Sequence, residues 1–175
     1  MKLNVVLFGY LLPTLLDASA SVAADKIQNG GFEAAGCVVG SSSGCAPWAF
    51  SGNSGVARVP TTKRPNNKAV TVGSGGSGDG SVSQDLKLAR GNYSFSFQYR
   101  GEAGNYGDSV LIVHLGARPI FAATIRPGNS TWTKYKATIA VTQPFEGELK
   151  FEGFETSNPN AGPRVQIDNV HLVGP

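Results

Sequence analysis

In "YSFSFQYRG", residues 93–101, every second residue carries an aromatic ring. In an extended chain Tyr93, Phe95, Phe97 and Tyr99 fall on one side, and Ser94, Ser96, Gln98 and Arg100 on the other. A helix would spread the rings around its circumference; only a strand gathers them on one face. That face belongs to a core, and its reverse is a polar sheet surface. The same period recurs outward along the chain. Leu149 and Phe151 oppose Glu148, Lys150 and Glu152 in "GELKFEGFE" (147–155), and Tyr135, Ala137, Ile139 and Val141 oppose Lys134, Lys136 and Thr138 in "TWTKYKATIAV" (131–141). "GVARV" (55–59), "KAVTVG" (68–73), "SVSQDLKL" (81–88) and "RVQIDNVHL" (164–172) read as further strands, and "SVLIVHLG" (109–116) with "RPIFAATI" (118–125) as a hairpin. This makes roughly nine strands of ordinary length. No convincing amphipathic helix interrupts them. Sheets wet on one face are typical of antiparallel sandwiches, so the expected fold is an all-β, antiparallel jelly-roll β-sandwich.

The N-terminal residues lie outside this pattern. Lys2, the apolar run "VVLFGYLLPTLL" (5–16) and the small residues "ASASVAA" (18–24) read as a signal peptide over residues 1–23. The run is too short to span a bilayer, which takes roughly 20 residues. Residues 24–175 then form a single domain, expected to be secreted, extracellular and monomeric. The formal charge is +3 and is spread without a Lys/Arg run, which argues against nucleic acid as a partner. The two cysteines, Cys37 and Cys45, bracket a Ser/Gly loop. In an oxidising compartment they are expected to form one disulfide, a loop staple with no catalytic role.

Several stretches in fixed order resemble a known family: "IQNGGFE" (27–33), "PWAFSG" (47–52), "VSQDLKLARGNYSFSFQYRG" (82–101), "STWTKYKATI" (130–139) and "IDNVHL" (167–172). Together they resemble the galactose-binding-like β-sandwich domains of the carbohydrate-binding module 4/9/22 type, over nearly the whole mature chain. In that family an N-terminal Asn-Gly-x-Phe-Glu segment and a C-terminal Ile-Asp-x-Val segment lie side by side and bind a structural calcium. The resemblance therefore implies carboxylate oxygens from Glu33 and Asp168 and a carbonyl from Gly31, with further carbonyls from the "NNK" turn (66–68). Calcium takes six to eight such oxygens at roughly 2.3–2.6 Å. Phe32 would turn inward as a core anchor. Without the resemblance, Glu33 could equally cap a turn and Asp168 accept a backbone N–H.

The resemblance also implies a polysaccharide or cell-wall glycan as ligand. Gln98 and Arg100 on the polar face, with His114 from the next strand, are the candidates there, since planar amide and guanidinium groups bond paired hydroxyls. Tyr106 in the Gly-rich loop "GEAGNYGDS" (101–109) is the candidate exposed aromatic. Trp48 and Trp132 match core-packing positions of the family. "GSGGSG" (73–78) fits G-x-G-x-x-G but precedes an alternating strand, whereas a dinucleotide site needs a helix there. Asn92 and Asn129 head N-x-[ST] sequons, expected at surface turns. No nucleophile elbow or zinc helix occurs, and Lys150 separates Glu148 from Glu152, so catalysis is not expected. A secreted protein that uses the same sandwich to bind a protein partner is the competing expectation.

Overall fold

A computed structural model describes residues 23–59, 64–73, 78–102, 108–126, 128–155 and 164–175. The signal-peptide reading, apart from Ala23, and the Tyr106 reading fall outside these residues. The strands are β1 (Ala24–Asp25), β2 (Ala49–Gly52), β3 (Ser54–Arg58), β4 (Lys68–Val72), β5 (Gly80–Leu88) and β6 (Gly91–Gly101). They continue as β7 (Ser109–Leu115), β8 (Arg118–Ile125), β9 (Thr133–Val141), β10 (Phe145–Glu155) and β11 (Val165–Gly174). One sheet runs β3-β4-β11-β6-β9, with β1 on β11, and the other runs β2-β5-β10-β7-β8. Every pairing is antiparallel. The nine strands read from alternation are all present. The short β1 and β2 escaped that reading because neither is long enough to display a period.

Between the sheets the rings of β6 meet those of the facing sheet. Tyr93, Phe95 and Phe97 are fully buried. Phe97 packs on Phe151 at 5.1 Å, near perpendicular, and on Phe121 at 5.1 Å. Such tilted and edge-on pairs favour the ring quadrupoles beyond the area they bury. Tyr99 and Tyr135 sit at the margin of this cluster, half-buried.

The segment 27–33 joins the two sheets. Ile27 and Phe32 enter the core. The Gln28 backbone is held from the five-stranded sheet: Gln84 on β5 accepts from Gln28 N at 2.9 Å and donates to Gln28 O at 2.9 Å. Gln84 occupies an inward position yet is a polar residue, and this pairing is why the core tolerates it. From the six-stranded sheet, Val170 N donates to Gly30 O at 3.0 Å. Phe32 is the inward anchor the sequence predicts, and it reaches the core with φ of 57°, a left-handed conformation costly for a bulky residue.

Gly30 lies so close to β11 that a Cβ would collide with the Val170 carbonyl. At Gly31 an added Cβ would meet only Glu33 Cγ, at 3.9 Å. Gly30→Ala should therefore destabilise by about 1–3 kcal/mol, the usual range for overpacking, while Gly31→Ala stays close to wild type. Urea unfolding of the two variants checks this; equal losses would mean that Gly30 is not the point of close approach.

Candidate functional site

The first site is built where the segment 27–33, the turn before β4 and β11 converge. Glu33 Oε1 accepts from Lys68 N at 2.8 Å, which ties the segment to the start of β4. Asp168, only 3% exposed, takes Asn67 Nδ2 at 3.0 Å on one oxygen and Asn169 N at 2.7 Å on the other. Burial pushes the Asp168 carboxyl above its ordinary range, and the nearby Glu33 charge pushes the same way against the hydrogen bonds and Arg64. The two carboxylates that the family resemblance pairs are thus neighbours, 135 residues apart in sequence by their numbers (168 − 33). Among the described residues no three His, Cys, Asp or Glu side chains form a metal cluster. An ion here would rest on two carboxylates with amide and carbonyl oxygens, and that hard, all-oxygen set fits calcium.

The disulfide Cys37–Cys45 is formed and buried. It does more than close its loop. Asn29, left-handed at φ 52°, donates from Nδ2 to Cys37 Sγ at 3.1 Å, while its Oδ1 accepts from Ala34 N at 3.1 Å. Its carbonyl accepts from Trp48 Nε1 at 3.0 Å. Trp48 is buried against Phe32, as the packing reading expects. The bridge, the indole and Asn29 therefore hold the segment that presents Glu33.

The second site is an open depression of about 370 Å³ on the outer face of the six-stranded sheet. Ser96 and Gln98 of β6, Lys134 of β9, Asn169 and His171 of β11, and Arg64 line it. Register explains the convergence, since Gln98 sits opposite Lys134 on one side and Asp168 on the other. A bulge in β11 between Asp168 and His171, with Asn169 at φ 52°, turns the Asn169 amide over the sheet, where Nδ2 donates to Gln98 Oε1 at 3.1 Å.

The remaining predicted residues do not all join this site. Arg100 shares the face with Gln98 but is engaged internally: Nε donates to Gln166 Oε1 at 2.7 Å, Nη1 to Ser130 O at 3.3 Å, and the guanidinium lies 4.6 Å from the Trp132 ring centroid. Trp132 is half-buried under that cation and is not a core residue, a correction to the packing reading. His114 is on the opposite side of the molecule, outward on β7 of the five-stranded sheet. Its Nε2 lies 3.5 Å from Glu152, which also pairs with Lys150 at 3.3 Å. Alternation assigned His114 an outward face correctly; it could not say which sheet. The glycines 73–78 precede strand β5 and no helix, so the dinucleotide pattern is accidental. Asn129 is exposed in a turn, and Asn92 is exposed on β6 itself.

No protein-family model and no curated protein matches the sequence. Solved structures do match. An arabinose-bound MgGH51 α-L-arabinofuranosidase aligns at TM-score 0.58 with 18% identity over 89% of this chain, which spans only 27% of that longer chain. The cyclase Fisc of Fischerella sp. TAU aligns at TM-score 0.58 and 16% identity, covering 87% of this chain and 98% of its own. The CBM22-1 xylan-binding domain from Paenibacillus barcinonensis Xyn10C aligns at 0.53 and 11%, covering 89% and 97%. At such identities the likeness establishes the fold alone, an antiparallel β-sandwich shared by a xylan-binding domain, a cyclase and part of a glycoside hydrolase.

Sequence reasoning missed Lys134, Asn169, His171 and the Asn67 side chain. The first three were findable in part, since "TKYKATI" alternates and Asn169 and His171 flank Val170 beside Asp168. Asn67 carried no signal beyond its turn. One carboxylate at the rim is pH-sensitive. Asp25 accepts from His171 Nδ1 at 2.7 Å and from Ile27 N and Leu172 N at 3.0 Å each. Burial alone would raise the Asp25 carboxyl, but these bonds outweigh it and hold it below its ordinary value. A depressed folded value stabilises the protein above the unfolded value of about 3.9, and that gain is lost as pH falls through the folded one. Asp25→Asn should therefore melt below wild type at pH 6, with the gap closing on acidification below about pH 4. Parallel melting curves down to pH 2.5 would show that Asp25 carries no such linkage.

Proposed function

We propose that the chain is a secreted, non-catalytic carbohydrate-binding module that recognises a polysaccharide or cell-wall glycan. The observation that carries the reading is the depression over β6, β9 and β11, where hydroxyl, amide, ammonium and imidazole groups converge on a rigid sheet. Groups fixed on strands bond sugar hydroxyls without first being ordered, which keeps the entropic cost of binding low. Gln98 is its central contact. The sandwich is the fold of carbohydrate-binding modules, and the buried disulfide suits an oxidising, extracellular setting. No helix among the described residues is long and apolar enough to cross a membrane. The absence of chemistry is supported by the outward carboxylates of β10: Lys150 stands between Glu148 and Glu152 and is ion-paired to Glu152.

The same reading assigns a structural calcium to Glu33 and Asp168. Carbonyls of Gly31 and Lys68 and the Asn67 amide, turned to offer Oδ1, complete its oxygens. The ion would neutralise two neighbouring carboxylates, one of them buried, and so lock the segment 27–33 onto β11. In the metal-free chain the raised Asp168 value means that its neutral form is favoured by folding. That contribution is complete below about pH 3.9 and is lost as pH rises through the folded value. Calcium at about 100 times its Kd should then stabilise the wild type by about 2.7 kcal/mol over chelator at pH 7. Asp168→Asn should abolish that increment while unfolding no more easily than wild type in chelator. Identical wild-type melting in calcium and chelator would remove the ion from the proposal.

For the carbohydrate reading, the mature chain is tested for retention on insoluble chitin, β-glucan, cellulose, xylan and mannan, with calcium and with chelator. Retention competed by the matching oligosaccharide, and weakened by Gln98→Ala, is the expected result. A folded protein retained by no polysaccharide, insoluble or soluble, would favour the protein-partner function instead.

A further inference from the structure

The depression also says what sign of ligand it takes, a step that rests on the carbohydrate-binding reading. We infer that its ligand is an acidic sugar, carrying a carboxylate or sulfate, and that Lys134 and Gln98 bind the anionic group. With Gln98 Oε1 accepting from Asn169 Nδ2 at 3.1 Å, the Gln98 amide presents its N–H donors to the depression. Lys134 is the direct cross-strand partner of Gln98, and Lys136 stands opposite Ser96. Neither lysine has an ion-pair partner among the described residues. The outward positions of β6 and β9 carry Arg100, Lys134 and Lys136 among serines, threonine and amides, and no carboxylate.

The carboxylates that lie nearby are already occupied. Asp25 is held by His171 and two backbone N–H groups, Asp168 by Asn67 and Asn169, and Glu33 by Lys68 N. Arg64, itself engaged, adds its charge at the rim. Among the described residues no exposed Phe, Tyr or Trp offers the depression a platform: Phe97 is fully buried, and the His171 imidazole is tied to Asp25. A neutral pyranose, which gains from an apolar surface under its C–H face, finds little here, whereas an anion finds donors and unpaired positive charge. The opposite face has the contrary balance, with Asp85, Glu146, Glu148 and Glu152 against Lys87 and Lys150. The two faces thus differ in sign, and the field steers an acidic chain to the first.

Affinity electrophoresis of the mature chain through polygalacturonate, dextran sulfate, galactan and dextran tests this. The expected result is retardation by polygalacturonate, dextran sulfate or both, weakening as salt shortens the Debye length from about 30 to 8 Å. Lys134→Met and Gln98→Ala should each weaken binding about tenfold, as loss of a charge-assisted contact does. Lys134→Met should leave the melting temperature unchanged, and Gln98→Ala should lower it only by the loss of the one hydrogen bond to Asn169. Lys150→Met, on the other face, should bind as wild type. Retardation by one acidic polymer alone names the anion. Equal or stronger binding of galactan, or acidic binding indifferent to Lys134→Met, overturns the inference and leaves a carbohydrate-binding module with a neutral ligand or another site. Failure on all four soluble polymers overturns it too; only failure on the insoluble panel as well takes the carbohydrate reading with it.

Discussion

The structure depends on how one polar backbone segment crosses between two sheets. Residues 27–33 have no strand partner along most of their length, yet they carry part-buried N–H and C=O groups that need partners. Three devices satisfy them. Gln84 reaches inward from β5 and pairs with the Gln28 backbone as a neighbouring strand would. Val170 donates across to Gly30. Trp48 bonds the Asn29 carbonyl while its ring packs on Phe32 at 5.1 Å. Remove any of these and a part-buried backbone group loses its partner, at a cost of about 1 kcal/mol each.

That crossing explains why a short disulfide loop stands where it does. A loop-entropy account values the bridge only for closing an eight-residue separation. In the fold it also offers sulfur to Asn29, whose left-handed backbone turns the chain toward Gly30 and Phe32. The loop, the indole and the crossing segment form one packed unit at the margin of the sandwich, and Glu33 emerges from it already aimed at β4 and β11. The carboxylate pair is a consequence of this packing.

The legible part of the molecule was whatever repeats with period two. Phe95 and Phe97 against Ser96 and Gln98, or Leu149 and Phe151 against Lys150, declare inside and outside locally, and each of these assignments holds. What alternation cannot encode is which outside. Gln98 and His114 lie on consecutive strands in sequence, β6 and β7, yet the chain changes sheets between them, so a face that looked shared is two faces of opposite charge. Trp132 misled for another reason. Large rings are buried on average, but a cation can cover a ring as well as a core can, and Arg100 does so here. Asn67 was hidden because its role is set by a partner 101 residues away. The family resemblance supplied Glu33 and Asp168, since motif order records adjacency that periodicity does not.

The bulge in β11 shows why two sites can share so little sequence. An unbroken strand would send Asp168 and Asn169 to opposite faces, and Asn169 would point into the core. The extra residue at the bulge, with Asn169 at φ 52°, lets both side chains stay on the side of the sheet away from the core. Asp168 then turns toward Asn67 and the crossing segment, and Asn169 toward Gln98. Val170 returns to the core and takes Gly30 as its partner, which restores the inward register for Leu172. One irregularity thus divides a carboxylate from an amide, gives each its own set of partners, and anchors the crossing segment in the same turn. Asparagine suits the position because it tolerates the left-handed backbone better than a β-branched residue and still offers a hydrogen-bonding side chain. The proposed ion and the proposed sugar would then act on adjacent residues of a single strand, so that ordering the crossing segment also fixes the floor of the depression.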